Sequence, residues 1–180
     1  MKARVRPVKS KHMQVKRMTL IAMLAALGTV LRVFKIIPIP NVQPVTDLIM
    51  IATLVLGVGF GISLAMMIMI LSNLLLGFGI WTVPQILAYA VCVLTVAGLA
   101  KVTPLKKHFT LQLILATFLG FEYGFFVSLG MSIYGGWAAF LAYWLSGLLF
   151  DLYHALGNLG CYFILYKPLT VAFKHYLQEG

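Results

Sequence analysis

The residues whose types and spacing could do chemistry are few. Gly147, Asp151, His154 and Asn158 recur at helical spacing within one apolar run. An acid with a histidine one turn on, inside a membrane, invites a proton-relay or metal reading. Two such groups are too few for a structural metal site, and no H-E-x-x-H or cysteine pair accompanies them. The expectation is a polar cluster satisfied between helices. Glu122 stands apart in a different apolar run. No phosphate-binding glycine loop and no activated serine or cysteine constellation occurs, so a membrane-embedded enzyme built on Asp151, His154 and Glu122 is the weaker reading. Nothing in the chain can use ATP by itself.

The richest stretch is Ser72–Gln85, S-N-L-L-L-G-F-G-I-W-T-V-P-Q. Gly77 and Gly79 are placed to end one helix, because glycine tolerates the left-handed turn of a C-terminus. Thr82 and Gln85 have capping-box spacing, and Pro84 suits the first turn of the next helix. A rigid bend would then carry Asn73, Trp81, Thr82 and Gln85. The plain alternative is a membrane hairpin with polar helix ends and an interfacial tryptophan.

The elements that must position these residues follow from composition. The 180 residues are 62% hydrophobic and 10% charged, with mean hydropathy +0.99. Soluble domains are about half apolar, so the chain reads as an all-α integral membrane protein. Only Asp47, Glu122, Asp151 and Glu179 are acidic, and the net charge is +10. The basic residues crowd the first 17 positions (Lys2, Arg4, Arg6, Lys9, Lys11, Lys16, Arg17) and present no nucleic-acid face. They read as a topology signal and a contact with anionic lipid. Cys92 and Cys161 lie in apolar runs and imply neither disulfide nor zinc site.

Six transmembrane helices are expected, in a domain over 18–167 between a basic cytoplasmic tail (1–17) and a cytoplasmic C-terminal tail (168–180). The first runs from Met18 to Phe34, retained rather than cleaved as a signal peptide. A proline-rich loop follows, K-I-I-P-I-P-N-V-Q-P-V-T. Thr46 or Asp47 would cap a second helix to Leu56. Gly57, Gly59 and Gly61 would form a tight turn before a third, Ile62–Leu76, with a stripe of Gly59, Ser63, Met66, Ile70, Asn73 and Gly77. The fourth would reach Ala100. The fifth, Leu111–Gly130, has Thr117, Gly120, Gly124 and Ser128 on one face for close packing. The sixth is expected from Ala138 to Leu165. With both termini inside, Lys and Arg number twelve inside against Arg32 and Lys35 outside, a strong positive-inside signal.

Taken together, the short helices, basic N-terminal tail, A-M-L-A-A (Ala22–Ala26), P-N-V-Q-P-V-T and the Ser72–Gln85 stretch resemble the S-components of energy-coupling factor (ECF) vitamin transporters. Within that family they look most similar to the subgroup that includes the cobalamin S-component. The resemblance implies a substrate-binding subunit in a prokaryotic cell membrane, without cofactor or enzymatic activity. It would capture a vitamin at its outer face and dock on a transmembrane coupling subunit driven by two cytoplasmic ATPases. By motif, Ala22 and Ala26 would carry docking, with Ala25 blurring the face used. Depth and chemistry then suggest Asn41, Gln43, Asn73, Trp81, Gln85, Tyr89, Trp137 and Trp144 for the vitamin. Amides and aromatics with little charge suit a corrinoid. Riboflavin, pantothenate and a queuosine precursor remain open alternatives, as does a scaffold without ligand.

Overall fold

A computed structural model describes residues 11–34 and 38–178, the side chain of His12 apart. The tail before Lys11, together with Lys35 and Glu179, lies outside the described residues. Among the described residues five helices follow one another: α1 (Lys11–Val33), α2 (Val45–Leu56), α3 (Val58–Leu76), α4 (Thr82–Val102) and α5 (Phe109–Gln178). A single 3-10 turn, Leu105–Lys107, precedes α5. No strand occurs among the described residues. Four of the helices are long and apolar enough to cross a bilayer.

The fifth and sixth expected helices are continuous in α5, which is two helices joined across a kink at Gly136. It has 70 residues, which at about 1.5 Å per residue would span about three and a half hydrocarbon thicknesses if straight. It does not run straight. Gly136 alone leaves the helical region, at φ 67°, where a side chain would be strained. Residues 131–135 are helical up to that break. The two arms fold back on each other. Asn158 Nδ2 donates to the Ala116 carbonyl at 3.0 Å, and Tyr162 Oη donates to Gln112 Oε1 at 2.6 Å. Gly120 lies against the backbone of Ala155 and Gly124 against the Asp151 carboxylate. A methyl group at either glycine would separate the arms, which is the close packing expected of that face.

Other boundaries shift for local reasons. The basic segment from Lys11 is already helical, so α1 starts before Met18. Only Gly57 turns the chain between α2 and α3, at φ 95°; Gly59 and Gly61 are helical, and Gly61 packs against Thr53. The buried face of α3 is Gly61, Leu64, Ile68 and Ser72 with Asn73, while Gly59 and Met66 are exposed. The C-terminal tail continues α5 through Pro168 to Gln178.

α2 is the core of the bundle. Every residue from Val45 to Thr53 is buried, as expected of a helix apolar on all sides. Arg17 lies over the Phe60 ring at 5.6 Å, and Arg32 meets Asn73 further along, so α1 and α3 run parallel. α2 lies among α3, α4 and α5. The chain therefore has an Arg32 end, with the loops before α2 and α4 and the Gly136 break, and a lysine end, with Gly57 and the 103–108 loop. Leu74, Leu75, Phe163 and Ile164 point outward, as lipid-facing side chains do.

Candidate functional site

At the Arg32 end, three helices are joined by side chains. Arg32, in the last turn of α1, suits the negative pole of that helix. Its Nη1 donates to Asn73 Oδ1 at 2.9 Å and to Ser72 Oγ. Its Nη2 donates to Gln85 Oε1 at 3.3 Å. Asn73 Nδ2 in turn donates to Gln85 Oε1 at 3.0 Å and to Thr82 Oγ1 at 3.2 Å. Thr82 Oγ1 also accepts the Gly79 N–H at 3.3 Å. The guanidinium thus has three neutral acceptors, and its positive charge is not cancelled by them.

This network overturns the capping-box reading. No side chain caps α4; Thr82 instead holds the preceding loop, and Gln85 is turned toward Arg32. Likewise neither Thr46 nor Asp47 caps α2, whose N-cap is Pro44.

A second polar cluster sits deeper. Thr46 Oγ1 lies 2.7 Å from His154 Nε2 and 3.3 Å from Tyr89 Oη. The Tyr123 ring is 4.4 Å from Tyr89 and 5.3 Å from His154. The expected satisfaction is incomplete. Asp47 is 0% exposed, and neither of its carboxylate oxygens has a hydrogen-bond partner among the described residues; nor have His154 Nδ1 and Asn158 Oδ1. Among the described residues no group of three His, Cys, Asp or Glu could hold a metal ion.

A third group lies on α5. The Trp137 and Phe140 rings are 4.7 Å apart, and Phe140 stacks on Trp144 at 5.6 Å. Trp144, Phe118, Phe125, Glu122 and Asp151 line a groove of about 300 Å³. Glu122 Oε1 accepts the Thr95 hydroxyl at 2.6 Å.

The eight residues expected around a ligand therefore separate. Asn73 and Gln85 are joined. Trp81 stands beside them, 45% exposed, its ring over Gly79. Tyr89 belongs to the deeper cluster. Trp137 and Trp144 occupy the α5 flank. Asn41, at φ 60°, places Nδ2 at 3.5 Å from the Phe150 carbonyl. Gln43 is half-buried on the loop before α2. Sequence reading missed Arg32, which it had counted as a topology charge. The available signal was its spacing: Ala25, Gly28, Thr29 and Arg32 share the inward face of α1, of which the first three are buried. Ala22 and Ala26 are exposed on the neighbouring flank of α1, while Ala25 is buried, so Ala25 is separated from them.

The described residues thus form an apolar helical bundle with a polar network joining α1, α3 and α4 at one end. Residues 16–166 match the family described as ECF transporter, substrate-specific component, and the chain belongs to that family. No curated protein and no solved structure matches it. Family members are transport subunits, not enzymes, and work with a transmembrane coupling subunit and ATPases. The chain is accordingly a multi-pass protein of the plasma membrane.

Proposed function

We propose that this subunit captures a cobalamin-type corrinoid at the Arg32 end, which faces outward, and passes it inward when two partner ATPases drive the coupling subunit. The orientation rests on the positive-inside rule, since the lysines cluster at the other end. The observation that carries the substrate reading is the joined set Arg32, Asn73 and Gln85, with Trp81 beside it. Amide groups and one cation suit a ligand rich in amides that also bears a phosphodiester. The cavity of about 300 Å³ at Trp144 is at the lower limit for small-ligand pockets. A corrinoid must therefore be received by the loops around 38–44 and 77–81, with Asn41 and Gln43 on the first. Ala22 and Ala26 form the docking face, being small and exposed where helices can approach closely.

A second reading is favoured by the Trp144 groove: a smaller vitamin, stacked on the α5 aromatics. Equilibrium binding to purified protein separates the two. For a corrinoid, Asn73→Ala and Gln85→Ala should each weaken affinity by about 5- to 150-fold, the equivalent of about 1–3 kcal/mol, while Trp144→Ala should have little effect. A reversed pattern, or no corrinoid binding by the unaltered protein, would overturn the corrinoid reading. Ala22→Trp should abolish co-purification with the coupling subunit and leave ligand binding intact; retained co-purification would remove this face from docking.

A further inference from the structure

At the lysine end a cleft of about 260 Å³ opens beside the end of α2. Its cause is a mismatch of lengths. α2 has 12 residues, about 18 Å of helix against a hydrocarbon core of about 30 Å. The second arm of α5 continues to Gln178. The space left under α2 has an apolar floor, including Leu54 and Val55, and a wall containing Tyr166. Lys106, beside the 3-10 turn, and Lys174, on α5, also line it, and both are exposed. Thr170, another lining residue, has a buried hydroxyl with no hydrogen-bond partner among the described residues. No described acid is nearby in the fold: Asp47 is in the first turn of α2, at its other end, and Glu122 and Asp151 line the separate groove on α5.

We propose that this cleft binds one anionic phospholipid, with its phosphate between Lys106 and Lys174 and an acyl chain along Leu54 and Val55. An apolar floor with a basic rim at the end of the bundle matches an amphiphile of negative headgroup. A soluble anion would gain nothing from the floor, and a neutral lipid nothing from the rim. The site is independent of the substrate reading.

The test is native mass spectrometry of the full chain, released from detergent containing equal phosphatidylglycerol and phosphatidylcholine. The unaltered protein should retain one phosphatidylglycerol with about tenfold preference. Lys106→Gln/Lys174→Gln should bring the ratio near one. Lys101→Gln/Lys167→Gln, which alters lysines outside the cleft, should leave it unchanged. Thermal unfolding of each variant checks that it is folded. The proposal fails if the unaltered protein shows no preference, if both double variants behave alike, or if millimolar inorganic phosphate displaces the lipid. It also fails if the Lys106/Lys174 variant keeps its lipid and loses only the coupling subunit, because the cleft would then be a protein contact.

Discussion

The two polar clusters treat their buried groups in opposite ways. Around Arg32, Asn73 uses both its oxygen and its nitrogen, and Gln85 Oε1 accepts two donors. Around Thr46, one good contact to His154 is surrounded by unsatisfied atoms, and both Asp47 oxygens lack a partner among the described residues. Intramembrane polar groups are tolerated either because they are bonded or because function requires them there. The first cluster stabilises the bundle by holding α1, α3 and α4 together. The second costs free energy, since each buried polar atom without a donor has lost its hydration uncompensated. The two should therefore respond to apolar substitution with opposite sign.

The largest effect is expected at Arg32. Arg32→Met removes three hydrogen bonds from a charged donor and leaves Asn73 Oδ1 without its partner. A loss of about 2–4 kcal/mol is expected, with a clearly lower melting temperature in detergent. If melting is unchanged, the network is not what joins α1 to α3 and α4, and the contrast between the clusters collapses.

Asp47→Leu should act the other way. It removes a wholly buried carboxylate that no described group donates to. A gain of about 1–2 kcal/mol is expected, limited by how well leucine fits among the buried residues of α2. Thermal unfolding measures it. A marked loss of stability instead would mean that Asp47 is bonded in the membrane, and the second cluster would then resemble the first.

Much of this was legible in the sequence. The helices were, because apolar runs and the Gly57 and Gly77 stops are local signals. So was the pairing of Gly120 and Gly124 with a neighbouring helix, since small residues four apart can hardly serve otherwise. The network was not. Whether Thr82 and Gln85 cap a helix or bond Asn73 and Arg32 depends on how α1 is rotated against α3, and spacing within one segment carries no information about that. The same holds for Ala22, Ala25 and Ala26, whose faces are separated only once α1 has packed. The turn between Gly130 and Ala138 is tighter than the sequence suggests, because one glycine, Gly136, reverses the chain.

Trp81 gives the smallest effect on stability and the sharpest division between architecture and binding. It is 45% exposed, and its ring covers Gly79 in its own loop. It takes no part in the hydrogen bonds of the neighbouring network. Trp81→Ala should consequently change stability by about 0.5 kcal/mol or less, as at other exposed positions. Its effect on ligand affinity is another matter. An aromatic left standing beside Asn73 and Gln85 is well placed to cover a ligand held by them, and truncating such an anchor costs about 2 kcal/mol, roughly thirtyfold in affinity. Melting and affinity measured on the same preparation therefore discriminate cleanly. Unchanged melting with weakened binding makes Trp81 part of the site. Lower melting with binding held within about threefold makes it an interfacial anchor of the bend, and the ligand must then be sought on the 38–44 loop or along the α5 aromatics.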